Sequence, residues 1–147
     1  MHILFLCTGN SCRSQMAEGW MRKLAEELAP ELNIGVSSAG LEAHGLNPRA
    51  VAIMQARGVD ISSHTSDMLD EGMIEIADLI ITVCSHADAN CPLVPPQKEK
   101  RHIPFDDPAK ADGSEEEIEA CFSRVCEEIH VTLTELIKEF KSSTKQM

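Results

Sequence analysis

The chain has 147 residues, 43% apolar and 25% charged, with a formal net charge of −11. That is enough apolar material for a core, and one domain over residues 1–147 is expected, its polar tail 141–147 frayed. The acidity excludes a general affinity for nucleic acid or anionic membrane, and no run approaches the roughly 18 apolar residues of a membrane span.

Met1 to Leu6 carries too short an apolar run for a secretory leader, so a cytosolic, reducing compartment is expected. Ile3 to Leu6 reads as a strand buried on both faces. Ser14 to Leu28 turns helical, with Met16, Trp20, Leu24 and Leu28 recurring every four residues until Pro30 stops it. Ile34 to Ser38 is a second strand closed by Ala39-Gly40. Asn47-Pro48 caps and starts a helix that Gly58 ends, and Asp67 to Ile76 is expected to be helical. Leu79 to Val83 is a third buried strand, ending on Cys84. Ser85 to Asn90 is compatible with a short helix capped by Ser85 and stopped at Pro92, and Pro92, Pro95 and Pro96 make a loop. His102 to Phe105 supplies a short last strand. Ser114 and Glu117 form a capping box for a long helix to about Phe140, with Ile118, Phe122, Val125, Ile129, Leu133, Leu136 and Ile137 on one side.

Strands alternating with helices predict an α/β fold, an open parallel four-stranded sheet with helices on both faces in three layers. Ligands in such sheets sit beyond the carboxyl ends of the strands. Cys7, Cys84 and Asp107 each follow a strand and are therefore placed near one crevice.

Six cysteines in a reducing compartment need a reason other than disulfides, and their spacing contains no CxxC zinc pattern. Cys7 and Arg13 bracket five residues after a buried strand and before an amphipathic helix. Gly9 and Asn10 can take the positive φ angles of a tight anion nest. Backbone N–H groups of Thr8, Gly9, Asn10, Ser11, Cys12 and Arg13, with the start of the helix, would then surround a tetrahedral oxyanion. The Arg13 guanidinium grips two of its oxygens, the positive field stabilises a Cys7 thiolate, and Ser14 is placed to donate to that thiolate. Cys12 is expected to be packed, and Cys121 and Cys126 point in different directions along the last helix.

Cys7-Thr-Gly-Asn-Ser-Cys-Arg13-Ser14 resembles the phosphate loop of low-molecular-weight protein tyrosine phosphatases, and Asp107-Pro108 is similar to their late general acid. Two features separate this chain from a phosphotyrosine enzyme. Asp107-Pro108-Ala109-Lys110 lacks aromatic residues to pack a substrate ring, and Cys84 and Cys91 exceed what hydrolysis needs. Residues 84–92, with 7–20, 38–48, 64–67 and 105–108, resemble the thioredoxin-coupled arsenate reductases of that superfamily. The resemblance implies that Cys7 attacks arsenate while Asp107 protonates the leaving oxygen. Cys84 then attacks Cys7, Cys91 attacks Cys84, and thioredoxin reduces the Cys84–Cys91 disulfide. It also implies a monomer that requires no cofactor. Some relatives hold potassium beside the loop, and Asn10, Glu18, Ser38 and Asp67 match those ligands, with His64 orienting the cluster or capping a turn. The alternatives are a phosphatase acting on phosphotyrosine or small phosphoesters, and a non-enzymatic oxyanion or redox sensor.

Overall fold

Strand β1 (His2–Cys7) has no exposed surface at Ile3, Leu4, Phe5 or Leu6. A strand so covered needs a neighbour on each edge and a layer on each face. The computed structural model, which describes residues 1–91 and 94–145, supplies both. β1 pairs in parallel with β2 (Gly35–Gly40) on one side and with β3 (Leu79–Thr82) on the other. β3 pairs in parallel with β4 (Glu99–His102), so the order is β2-β1-β3-β4, the four-stranded parallel α/β sheet expected.

The chain leaves β1 toward β2 and returns on the opposite side to β3. The switch point therefore lies between the carboxyl ends of β1 and β3, where a crevice must open. Cys7 is the last residue of β1, and Cys84 lies just beyond β3.

Helix α1 (Arg13–Leu28) buries Met16, Trp20 and Leu24 as its spacing requires, while Leu28 stays exposed and Pro30 opens a 3-10 turn. Helix α2 (Pro48–Ala56) starts where the Asn47 side chain accepts from the Arg49 and Ala50 N–H groups, and Gly58 follows it with φ 81°. Helix α5 (Glu115–Lys145) carries the expected capping box: Glu117 N–H donates to Ser114 Oγ at 3.2 Å, and Ser114 N–H to Glu117 Oε1 at 3.5 Å. Phe122, Val125, Ile129, Leu133, Leu136 and Ile137 are buried, and α5 packs along α1. Each such side chain contributes about 1.5–3 kcal/mol by leaving water. Within this seam Trp20 Nε1 donates to Cys126 Sγ at 3.4 Å and its ring stacks on His130 at 4.3 Å, so Cys126 is a packing residue.

Four expectations are corrected. Helix α3 spans only Glu71–Ile76, because Asp70 caps it and Met68 is drawn into a parallel bridge with Gly40. The last strand lies at 99–102 rather than 102–105, although Ile103 and Phe105 N–H groups still bond to Thr82 and Val83 carbonyls. Helix α4 (Ser85–Ala89) is capped by the Cys84 sulfur rather than by Ser85, and Pro92, its expected stop, lies outside the described residues. Helix α5 continues past Phe140 to Lys145, and Lys141 Nζ ties it to Leu28 O at 2.7 Å; residues 146 and 147 lie outside the described region.

Candidate active site

The loop from Cys7 to Arg13 is shaped by what receives its carbonyls. The segment after β2 runs alongside it: Leu41, Glu42, His44 and Asn47 N–H groups donate to the carbonyls of Cys7, Thr8, Gly9 and Ser11. With its acceptors turned to that segment, the loop keeps its own amides for an anion. The approach is close at Gly40, where a Cβ would lie 2.3 Å from Glu42 O and 2.6 Å from Asn10 N. No side chain fits there, a requirement invisible in the loop's own sequence. The positive φ falls on Asn10 (46°) and not on Gly9, whose role is instead steric, since a Cβ would meet the His44 ring.

A buried network holds that unusual backbone. Gln15 Nε2 donates to Asn10 O, Asn10 Oδ1 and Thr65 O, and Gln15 Oε1 faces His64 Nδ1 at 3.0 Å. Sequence reasoning missed Gln15; its only signal was an amide on the inner side of the first helical turn. Ser14 Oγ accepts from Asn10 Nδ2 at 2.9 Å and makes no hydrogen bond to Cys7 among the described residues, which corrects its expected role.

Asn10, Ser38 and Glu18 do meet: Asn10 Nδ2 donates to Ser38 Oγ at 3.0 Å, and Ser38 Oγ donates to Glu18 Oε1 at 2.6 Å. Their oxygens are committed to one another, however. Arg22 neutralises Glu18 at 2.9 Å, Asn10 Oδ1 accepts from Asp67 N–H at 2.7 Å, and the Asp67 carboxylate takes the Thr65 hydroxyl at 2.7 Å. A donor set built around an arginine and an amide NH2 does not fit potassium. The cluster braces the loop instead.

The cavity beyond the loop measures about 350 Å³ and is lined by Cys7, Gly9, Arg13, His86, Asp107 and Lys110, among others. Arg13 Nη1 donates to Phe105 O at 3.1 Å and Nη2 lies 3.4 Å from Asp107 Oδ2. Its Nε is buried without a partner among the described residues, and an orphaned guanidinium donor in a cationic cradle suits a tetrahedral oxyanion. Asp107 also accepts from Ala109 N–H at 3.0 Å, which caps the Pro108–Lys110 turn and fixes its carboxylate on the cavity rim. Asp106 does not line this cavity; it borders a second opening, paired with Arg124 at 3.2 Å. Arg13→Lys should therefore weaken inorganic phosphate binding about tenfold or more by calorimetry, because the bidentate fork is lost; unchanged affinity would contradict the cradle.

The thiols are not equivalent. Cys84 is held well below the ordinary thiol range, first by a hydrogen bond from Cys7, with further donors in Thr8 Oγ1 and Ala87 N–H, each at 3.3 Å, and with Arg13 nearby. Cys7 is pushed up, first by donating to Cys84 and then by burial, against the pull of Arg13 and the Gly9 N–H. The Cys84 sulfur thus has two donors in Thr8 Oγ1 and Ala87 N–H, while Arg13 and the Gly9 N–H draw Cys7 toward its thiolate. Burial, seconded by Asp107, pushes Cys12 up to about 12, so it is a poor nucleophile. Cys91 is half-buried and pushed up by burial. Cys121 lies with Arg124 along a second opening that also reaches Cys84.

Residues 2–146 match the family model of low molecular weight phosphotyrosine protein phosphatase. An arsenate reductase of Bacillus licheniformis is 57% identical over 127 residues, 86% of this chain and 88% of the relative. One from Bacillus subtilis is 51% identical over 144 residues, 97% of this chain and 96% of that one. A solved structure of an arsenate reductase in the phosphate-binding state superposes with a TM-score of 0.74 at 29% identity, covering 94% of this chain and 97% of the other. With residues 2–146 matched by that model and these relatives covered over most of their length, the chain belongs to the low molecular weight phosphotyrosine protein phosphatase family.

Proposed function

We propose that this chain reduces arsenate to arsenite, using Cys7, Cys84 and Cys91 in succession and a thioredoxin-type dithiol as reductant. The observation that carries the reading is that Cys7 closes β1 and Cys84 follows the adjacent β3, with Thr8 Oγ1 3.3 Å from the Cys84 sulfur, beside an oxyanion cradle. Hydrolysis of a phosphoester requires only Cys7; a second thiol beside the nucleophile is what reduction requires. The names of the relatives agree with it.

In the first step Arg13 and the loop amides hold arsenate, and the Cys7 sulfur bonds to arsenic. The Cys7 proton and the departing hydroxyl leave as water, with Asp107 delivering that proton on the rim. In the second step the Cys84 thiolate attacks the Cys7 sulfur. An S–S bond forms, the S–As bond breaks with its electron pair on arsenic, and arsenic(V) becomes arsenic(III). Cys91 then attacks Cys84, freeing Cys7 and leaving Cys84–Cys91 for the external dithiol. Thr8 Oγ1 and Ala87 N–H are placed to stabilise the Cys84 thiolate that the second step needs.

The reaction needs no resident cofactor, and we take the working form to be a cytoplasmic monomer. No helix among the described residues is long and apolar enough to cross a membrane. The test is NADPH consumption with arsenate, thioredoxin and thioredoxin reductase. Consumption should depend on all components and yield arsenite; none above background would reject the reading, and hydrolysis of phosphotyrosine in its place would favour a phosphatase.

A further inference from the structure

Thr8 Oγ1 stands between two partners on the neighbouring strand end, 3.3 Å from Cys84 Sγ and 3.1 Å from His86 Nδ1. A hydroxyl has one proton to give. The thiolate form in which Cys84 attacks has no proton to give and can only accept, as it does from the Ala87 backbone N–H at 3.3 Å. The Thr8 proton therefore belongs on the Cys84 sulfur, and the Thr8 oxygen presents lone pairs to His86. Two acceptors 3.1 Å apart would repel, so His86 Nδ1 carries hydrogen.

We propose that His86 is a positioning residue for the disulfide-forming step, the outer member of a donor chain from His86 Nδ1–H to Thr8 Oγ1 and from Thr8 Oγ1–H to the attacking sulfur of Cys84. The chain polarises the Thr8 hydroxyl, which strengthens its hold on the thiolate, and it fixes the threonine rotamer that aims the hydroxyl. No proton moves along it. When Cys84 attacks Cys7, the electron pair passes to arsenic, the sulfur loses its charge, and the chain loses its acceptor. His86 is exposed on α4 and faces the same openings as Arg13, Asp106, Asp107, Lys110 and Arg124. Those charges are common to every variant below, so differences between variants isolate the chain.

The inference rests on the proposed reaction, and its test has an arm that does not. In a Cys7→Ser, Cys121→Ser background the thiolate absorbance near 240 nm reports Cys84 first, since Thr8, Ala87 N–H and Arg13 still lower it while burial pushes Cys12, Cys91 and Cys126 up. Thr8→Val should raise that midpoint by about one pH unit and His86→Leu by about half a unit, in line with one direct and one relayed hydrogen bond. His86→Asn, whose amide N–H can replace Nδ1–H, should restore it, and His86→Leu added to Thr8→Val should change nothing more. With Cys7 present, single-turnover arsenite release should slow about threefold in His86→Leu and recover in His86→Asn. A midpoint unmoved by His86→Leu, an asparagine variant as defective as leucine, or an effect persisting without the Thr8 hydroxyl would overturn the chain. Parent enzyme that releases no arsenite would overturn the reaction while the titration still decides the hydrogen bonds.

Discussion

Cys7→Ser is expected to abolish arsenate reduction and hydrolysis of an activated aryl phosphate together, each by a factor of about a thousand or more, because both begin with the same sulfur. A serine hydroxyl at the floor of the cradle cannot supply an alkoxide near neutral pH. It also cannot form the mixed disulfide through which arsenic would gain its electron pair. The fold should survive, since the loop is held by the Leu41, Glu42, His44 and Asn47 amides and by Gln15, none of which contacts the Cys7 sulfur through the bonds described. Steady-state assays of both activities, with phosphate binding by calorimetry as a control, check this. Activity above a few per cent of the parent in either assay, with binding intact, would move the nucleophile elsewhere.

Cys84→Ser should separate the two chemistries. Catalytic arsenate reduction falls to background, about a thousandfold or more, because no second thiolate can take Cys7 off arsenic. Aryl phosphate hydrolysis continues, since the cradle, Cys7 and Asp107 remain. Serine suits the position: it accepts from Ala87 N–H as an N-cap at least as well as sulfur does, so α4 should persist. The variant has one further expected consequence. Removing the Cys84 sulfur, which raises Cys7, should let the Cys7 pKa fall, and its alkylation by iodoacetamide should speed up at neutral pH. Thioredoxin-linked arsenite production equal to the parent's would place the second thiol at another cysteine.

Much of the fold was legible because local and global signals agreed. Ile3 to Leu6 had to be a central strand, Asn47-Pro48 had to open a helix, and Ser114 with Glu117 had to cap one. Strand β4 was displaced because Glu99-Lys100-Arg101-His102 is a polar edge strand that pairs on one side only, with no apolar alternation to announce it. Ile103 and Phe105 offered a better pattern and drew the strand forward. Helix α3 began late because Met68 answers to Gly40, a partner far away in the chain.

The site divides in the same way. That Cys7, Arg13 and Asp107 line one cavity was legible from strand ends and a local loop, whereas the role given to Asp107 came from the family resemblance. The surroundings of the Cys84 sulfur could not be read that way, because Thr8 meets it only in space. The potassium ligands matched as letters, yet the decisive neighbour was Arg22, one helical turn beyond Glu18, whose guanidinium supplies the counter-charge a cation would have brought.

The Cys84 sulfur as cap of α4 has a thermodynamic reciprocal. If the first turn of the helix favours the thiolate over the thiol by some free energy, the thiolate favours the folded turn over the open one by the same amount. Oxidation removes the charge and so removes that contribution to the turn. The strength of the cap is therefore written twice, once in the local stability of residues 85–89 and once in the reduction potential of any disulfide Cys84 enters. A stronger cap would give a steadier helix and a more oxidising disulfide, one more readily discharged by an external dithiol. Local order and redox poise cannot be tuned apart at this position.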